Sequence, residues 1–356
     1  MKTLEAAHQT DFSKIPFLER KISIESTHTL LYGPPRSGKS YLIMDYLCQF
    51  KHSEYLYIDF NDMRVDIKEI EHNLQEYILE YQIKVVALDN YNFQCKLPLC
   101  DEIIISSNHI QSLENFKSLL VMPLDFEEYI LHYPKLQTIT NSFNSFLKYG
   151  NLPGLIDYSD EKKITRIQEI IKIYSKNDTQ LEVLKLLLKS LGEKRSIFQL
   201  FTQLKKHIKI SKDMFYTLCE QYEKNCLIFF IEKYNQPKAV KKLYAYNHTF
   251  LDCLSNQKNF TNEFANMVFL ELLKNKDKIY YLDKIDFYIP QKNKFILAIP
   301  FFNALQVVKM TELLKPYIEK YNIKKITIIT VGVEQTFFCE HIKVKALPFY
   351  EWAVGE

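Results

Sequence analysis

The sequence predicts an α/β protein whose first part is a parallel sheet. Short apolar, β-branched segments alternate with helical patterns over residues 1–155, as they do in parallel sheets. A loop with the sequence Gly-Pro-Pro-Arg-Ser-Gly-Lys-Ser, at 33–40, follows the first of these segments. The length of 356 residues exceeds a typical domain, so two or three domains are expected.

The loop at 33–40 has the form G-x-x-x-x-G-K-S, which cradles nucleotide phosphates. The chain has only 7 glycines, yet two of them occupy the two positions where this loop requires glycine. Glycine reaches positive φ without steric cost and lets backbone amides approach an anion closely. The residues expected to bind the nucleotide are Gly33, Pro34, Pro35, Arg36, Ser37, Gly38, Lys39, Ser40 and Tyr41.

The flanking segments place this loop between a strand and a helix. Residues 27–32 form a short apolar run, and apolar residues beyond position 40 recur with helical spacing. The amides of residues 36–39 are therefore expected to cradle the β-phosphate. Lys39 is expected to reach the β- and γ-phosphates, and the hydroxyl of Ser40 to coordinate Mg²⁺.

Four more apolar segments complete the predicted sheet. Strands are expected at 54–60, 83–89, 102–108 and 119–122, with a helix at 66–79. Asp89 ends the third strand in the position of an acid, called Walker B, that holds Mg²⁺ through water. Ser107 and Asn108 end the fourth strand. Because parallel strands share one carboxyl edge, Gly33, Asp89 and these two polar residues are expected to converge on one nucleotide.

The residue after Asp89 is Asn90, whereas ATPases with this arrangement usually have glutamate there. An asparagine can position the attacking water but cannot accept its proton. Either hydrolysis is slow, or another carboxylate serves as the base. Asp59 ends the second strand, which should neighbour the third, and Asp62 follows closely. These two acids are the candidate bases; the alternative is that both are ordinary loop acids.

Six motifs in the first 155 residues follow each other in a characteristic order. They lie at 33–40, 57–60, 86–89, 105–108, 123–129 and 149–154. In this combination they resemble the archaeal-type predicted ATPases of the AAA+ superfamily. The segments P-L-D-F-E-E-Y and Y-G-N-L-P-G, at the last two positions, make the resemblance specific. It implies an ASCE-type P-loop core with a helical lid, ATP as the nucleotide, and Lys117 in the place of an arginine finger.

Residues 156–255 are predicted to form a helical lid and a winged helix. Helices are expected at 155–175, 181–191, 197–204 and 211–225, and paired strands at 227–231 and 242–246. Ser211 is the expected N-cap of the recognition helix. The basic side chains that could meet DNA phosphates are Lys205, Lys206, His207, Lys209, Lys212 and Lys224. Because Glu220 and Glu223 lie in the same helix, packing between domains is the alternative role.

Residues 256–356 are predicted to form a further α/β domain. Helices are expected at 262–274 and 302–321, and strands at 278–282, 285–289, 295–299 and 325–331. The segments at 267–272, 285–287 and 347–352 resemble the restriction-endonuclease-like domain of the same family. Cleavage in that fold requires two carboxylates and a lysine. Asp286 is present at the position of one of these carboxylates, but Ala298-Ile299-Pro300 stands where the second acid and the lysine are expected. This domain is therefore expected to be a degenerate nuclease domain without cleavage activity. Glu271 is expected to be a solvated helix residue.

The composition restricts the class of protein but does not indicate a function. Apolar residues make up 47% and charged residues 25%, as in globular proteins, and no apolar run reaches the 18 residues of a membrane span. The amino terminus has no apolar core of signal-peptide length. Seven scattered cysteines, never spaced C-x-x-C, favour reduced thiols in a cytoplasm. The net charge of +3 is too small to indicate nucleic-acid binding by itself.

These observations predict an ATP-binding, Mg²⁺-dependent protein that hydrolyses slowly and acts as a nucleotide-controlled switch. DNA, another protein or a second copy of the chain are the candidate partners. The alternatives are an ATP-gated nuclease that acts on DNA, and a scaffold that binds ATP without hydrolysing it.

Overall fold

The computed structural model describes residues 2–108, 111–132, 138–156, 158–175, 177–256 and 259–355. The residues group into two compact units, Met1–Pro123 and Leu124–Glu356. The predicted domains 1–155, 156–255 and 256–356 stay a prediction, although residues 124–155 group with the second unit. Among the described residues, no helix combines the length and the apolar character that crossing a bilayer requires.

The first unit contains a five-stranded parallel sheet. Its strands are β1 (His28–Tyr32), β2 (Tyr55–Asp59), β3 (Val85–Asp89), β4 (Glu102–Ser107) and β5 (Lys117–Leu120). They are ordered β2-β3-β4-β1-β5, and all four pairings are parallel. All five predicted strands are therefore confirmed, and β2 does neighbour β3. The helices of this unit are α1 (Lys2–His8), which precedes the sheet, and α2 (Lys39–Leu47) and α3 (Ile67–Tyr81), which connect strands.

Alternating side chains of the strands build a separate core on each face of this sheet. Leu30 of β1 packs with α1 and α3, whereas Leu31 packs with α2. The period of two puts successive residues on opposite faces. Both faces are covered, so the strands read as continuous apolar runs, which is why the sequence predicts them well.

The second unit begins with helices and a small antiparallel sheet. The helices are α4 (Phe126–His132), α5 (Ile139–Tyr149), α6 (Asp160–Ile173), α7 (Asp178–Lys189), α8 (Ile197–Leu204), α9 (Lys212–Lys224) and α10 (Phe250–Leu254). The sheet has the order β6-β8-β7, from β6 (Lys194–Arg195), β7 (Ile228–Ile231) and β8 (Lys241–Ala245). Strand β6 was not predicted because two charged residues carry no apolar alternation. The N-cap at Ser211 is confirmed, since its Oγ accepts a hydrogen bond from Met214 N at 3.2 Å.

The chain ends in a six-stranded mixed sheet flanked by three helices. Its order is β13-β14-β12-β11-β10-β9. The strands are β9 (Tyr280–Leu282), β10 (Ile285–Ile289), β11 (Lys294–Ala298), β12 (Lys325–Thr330), β13 (Gln335–Cys339) and β14 (Ile342–Pro348). The helices are α11 (Phe260–Leu273), α12 (Val307–Tyr321) and α13 (Phe349–Gly355).

Two predictions for this last region need correction. Helix α12 begins at Val307 rather than 302, because residues 304–306 form a separate 3-10 turn capped by Asn303. Strands β13 and β14 are not among the predicted strands. Strand β14 alternates apolar residues with lysine in its first four positions, which is the pattern of a half-buried strand and was a usable signal.

Candidate functional site

The loop between β1 and α2 adopts a conformation suited to anions. Three of its residues have left-handed φ angles: Gly33 at 140°, Arg36 at 63° and Gly38 at 100°. A Cβ atom on Gly33 would lie 2.4 Å from the carbonyl oxygen of Val121, so only glycine fits there. Such turns direct successive backbone amides into one concavity, which is a common anion site.

Lys39 lies inside this loop. Its side chain is buried, and its ammonium donates hydrogen bonds to the carbonyls of Gly33, at 2.9 Å, and Pro34, at 3.0 Å. The hydroxyl of Ser37 is also buried and has no hydrogen-bond partner within the described part of the chain. A buried ammonium and an unsatisfied hydroxyl in one loop fit a bound phosphate group.

Helix α2 begins directly at the loop. Gly38 is its N-cap and offers no side chain to the first amides. Ser40 is half-buried in the first turn, and Tyr41 is exposed with its ring against Phe17, 6.2 Å between centroids. An amino-terminal helix end without a side-chain cap leaves its amides for a ligand.

Arg20 supports the loop from outside, a role that the sequence did not indicate. Its guanidinium donates to the carbonyl of Ser37 at 3.0 Å and to that of Met122 at 2.8 Å. Arg20 thereby ties the loop to the chain just after β5. No motif marks this residue, because it lies 17 positions before its partner in an irregular segment.

Asp89 ends β3 as predicted and is almost fully buried. Its Oδ2 accepts a hydrogen bond from the hydroxyl of Tyr57 at 2.7 Å, and its Oδ1 accepts one from the hydroxyl of Ser106. Burial, followed by the charge of Asp89, raises the pKa of Tyr57. Two neutral donors on the adjacent strands thus fix the carboxylate, and neither donor was predicted.

Asn90 and Asp59 contact each other at the ends of β3 and β2. The side-chain amide of Asn90 donates to Oδ1 of Asp59 at 2.9 Å, and the amide of Asn61 donates to the same oxygen at 2.9 Å. Oδ2 of Asp59 has no hydrogen-bond partner among the residues that the structure describes. Asn90 has a left-handed φ of 55°, so the chain turns sharply where the strand ends.

The other predicted site residues differ in their positions. Ser107 is buried at the end of β4, and Asn108 follows it, half-buried at a bend. Asp62 accepts hydrogen bonds from the backbone and guanidinium of Arg64, which lower its pKa to about 2. This contact fits the loop-acid alternative and makes Asp62 a poor base. Lys117 lies at the amino end of β5, paired with Glu25 at 3.2 Å, and thus at the edge opposite the loop.

The carboxylate of Asp286, in β10 of the second unit, is engaged on both oxygens. Lys242 of β8 donates to Oδ1 at 2.8 Å, and the backbone amide of Ala298 donates to Oδ2 at 3.0 Å. Glu271 is not solvated as predicted: only 2% of it is exposed, and it accepts hydrogen bonds from Lys274 and from the amide of Phe126. The cause is that α11 is packed on nearly all sides.

Across the described ranges, no group of three or more histidine, cysteine, aspartate or glutamate side chains could hold a metal ion. Mg²⁺ commonly binds through one or two protein oxygens together with phosphates, so a site for this ion does not require such a group.

No protein-family model matches the chain. It is 22% identical over 390 residues to the uncharacterized protein MJ1544 of Methanocaldococcus jannaschii, covering 91% of this chain and 88% of the relative. Among solved structures, the Walker-type ATPase PABY2304 of Pyrococcus abyssi gives a TM-score of 0.44 at 13% identity, covering 68% of this chain and 99% of that one. The Aeropyrum pernix Orc1 protein in complex with DNA gives 0.32 at 12% identity, covering 67% and 87%.

Proposed function

We propose that this chain binds ATP together with Mg²⁺ and hydrolyses it slowly. The observation that carries the proposal is the loop at 33–40, with its three left-handed residues and its buried Lys39 at the start of an uncapped helix. The choice of ATP comes from the resemblance to AAA+ ATPases, because no N-K-x-D guanine-reading signature occurs in the sequence.

Each element of the loop has a distinct task in this proposal. The backbone amides and Lys39 bind the phosphates, while the hydroxyl of Ser40 and the carboxylate of Asp89 hold the cation, Asp89 through water. A Mg²⁺ ion held by these residues would offset the negative charge that develops during phosphoryl transfer. Tyr57 and Ser106 keep the Asp89 carboxylate in one orientation through their hydrogen bonds.

The position of Asp59 favours slow hydrolysis. In the sheet order, β3 lies two strands from β1 and β2 lies three strands from it. At about 4.8 Å per strand, Asp89 is about 10 Å and Asp59 about 14 Å across the sheet from the end of β1. A general base must come within about 3 Å of the proton it accepts, directly or through one water. Asp59 lies one strand farther from the loop than Asp89, which makes it a poorly placed base, and its carboxylate already accepts a hydrogen bond from Asn90.

The AAA+ assignment, the helical lid, the winged helix and the restriction-endonuclease-like domain belong to this proposal. In it, the bound nucleotide acts as a switch that repositions the parts after the first domain. DNA contact through the winged helix is the second candidate function, favoured by the exposed lysines between α8 and α9. A nuclease is disfavoured because both oxygens of Asp286 are engaged by Lys242 and Ala298.

Nucleotide binding tests the proposal directly. Calorimetry with ATP and Mg²⁺ should show binding for the native chain and none for Lys39→Ala, because the ammonium that grips the phosphates is lost. Lys14→Ala, which removes an exposed lysine of the same unit, should bind normally. Circular dichroism checks that both variants are folded. Equal affinity of Lys39→Ala and the native chain would refute the loop as the site.

Phosphate release then separates the alternatives. Asn90→Glu should raise turnover if the missing carboxylate after Asp89 limits the rate. Asp59→Asn should leave turnover nearly unchanged if Asp59 is too distant, whereas its complete loss would establish Asp59 as the base. ATP binding without measurable phosphate release in the native chain and in Asn90→Glu would support the non-hydrolysing scaffold instead.

A further inference from the structure

The turn between α8 and α9, residues 205–212, carries a dense group of exposed cations. Lys205, Lys206, His207, Lys209 and Lys212 are all exposed. None of the four lysines forms an ion pair with a carboxylate in the described part of the chain. Surface lysines elsewhere in this unit often have acidic partners, such as Lys233 with Asp283. We call this segment the basic turn.

The basic turn lines an open groove of about 420 Å³. Its lining consists of Lys205, Ile208, Lys209, Ile210 and Ser211. Ser211 caps α9, since its Oγ accepts a hydrogen bond from Met214 N, and Asp213 follows in the first turn, so the start of this helix does not itself attract an anion. The two lysine ammoniums beside the groove are complementary to phosphate groups.

An exposed aromatic residue orients one of these lysines. The ammonium of Lys212 lies over the rings of Phe198, at 5.8 Å, and Tyr216, at 5.4 Å. Phe198 is itself 55% exposed, so the pair lies at the surface. Cation–π contacts of this kind hold the charge in place without neutralising it.

The elements that would read bases in a winged helix are poorly suited to that task here. The exposed residues of α9 include Asp213, Glu220 and Glu223, whose charges repel DNA. The loop between β7 and β8, which would form the wing, is held at its beginning, where the amide of Tyr234 donates to the carbonyl of Tyr281 at 3.1 Å. Tyr234 packs against further tyrosines of the last sheet, 4.8 Å from Tyr288 between ring centroids.

We propose that the basic turn binds the phosphate backbone of duplex DNA without reading its bases. This inference rests on the DNA-association part of the proposed function and is independent of nucleotide binding. The four lysines supply the contacts, and two of them, Lys205 and Lys209, lie beside the groove. Binding of this kind is driven by counterion release, so it is salt-dependent and insensitive to sequence.

Fluorescence anisotropy with a labelled duplex, measured across salt concentrations, tests the proposal. Four phosphate contacts give a slope of log affinity against log salt of about −3.6, which is a loss of about 150-fold between 50 and 200 mM salt. The double variant Lys205→Gln/Lys209→Gln should reduce the magnitude of the slope by about 1.8, leaving a loss of about 12-fold over the same range. Lys343→Gln/Lys345→Gln, which removes two exposed lysines of β14, is the matched control and should behave as the native chain.

Further measurements with the same proteins identify the ligand of the basic turn and show whether its binding depends on base sequence. Three unrelated duplexes of equal length should bind with affinities within about two-fold of one another. A strong preference for one sequence would overturn backbone-only binding, and an equal loss in the β14 variant would overturn the site. Tighter binding of RNA, of anionic vesicles or of an acidic peptide at the same salt would overturn duplex DNA as the partner. Lys39→Ala should keep DNA binding, and the double variant should keep ATP binding, so the two proposals fail separately.

Discussion

Acidification should destabilise the second unit through one buried histidine, His248. Its Nε2 lies 3.0 Å from the carbonyl of Phe146; a carbonyl only accepts, so Nε2 carries the proton. Nδ1 is buried and has no hydrogen-bond partner among the described residues. Burial lowers the pKa of His248 from 6.5 to about 4. Protonation of Nδ1 would place a charge in a site that offers it no acceptor.

The direction and the size of the change in stability follow from the pKa values of His248 in the unfolded and the folded chain. The unfolded chain takes up this proton near pH 6.5 and the folded chain only near pH 4, so stability is full above pH 6.5 and falls between these values. At pH 5 the loss amounts to about 2 kcal/mol. Other groups titrate in the same range, so the quantity to measure is the difference between the native chain and a variant without this imidazole.

Urea denaturation at pH 7.5 and pH 5.0 is the assay. Trp352, the only tryptophan of the chain, lies in the same hydrophobic cluster as Phe146, so its fluorescence reports the unfolding of this unit. The native chain should lose about 2 kcal/mol more than His248→Gln on acidification. His207→Gln, which removes an exposed histidine, should lose as much as the native chain. Equal losses in the native chain and His248→Gln would refute the reasoning.

Three further predictions concern stability and the cation. Gly33→Ala should cost about 1–3 kcal/mol in urea denaturation and abolish ATP binding, because its Cβ would meet Val121; a variant of native stability would contradict this steric conflict. Lys242→Met should cost about 3 kcal/mol because it leaves Asp286 without its charge partner, and the double variant with Asp286→Leu should recover most of it; no recovery would show that packing dominates. Tyr57→Phe should raise the Mg²⁺ concentration needed for ATP turnover, with metal-free ATP binding unchanged; an unaltered Mg²⁺ dependence would remove Tyr57 from the site.

The sequence predicts the first sheet and its loop well because both depend on local information. Buried parallel strands read as apolar runs, and the loop requires glycine at two fixed positions. Tyr57, Ser106 and Arg20 could not be found in this way. The two hydroxyls reach Asp89 only because β2 and β4 flank β3 in a particular register, which the sequence of a single strand does not encode.

The error at Glu271 has a different cause. Eight of the fourteen residues of α11 are buried, including Asn266 and Glu271, so this helix has little solvent-exposed surface. A helix that is apolar on all sides is usually buried, and the run from 264 to 273 already shows this pattern. A charged residue within such a run should therefore be expected to have a partner, as Glu271 has in Lys274.

The hydrogen bonds of Asp286 also set a minimum free-energy cost for binding a catalytic cation at this carboxylate. A catalytic cation would have to displace Lys242, whose side chain is 9% exposed, and free the oxygen bound by the amide of Ala298. Breaking a buried ion pair costs about 3–5 kcal/mol. The lower value applies here because the side chain of Asp286 is 29% exposed. At about 1.4 kcal/mol per factor of ten, that cost alone weakens cation binding at least 100-fold. Asp89 differs, because the side chains that donate to it are the neutral hydroxyls of Tyr57 and Ser106, so a cation at Asp89 would not have to break an ion pair.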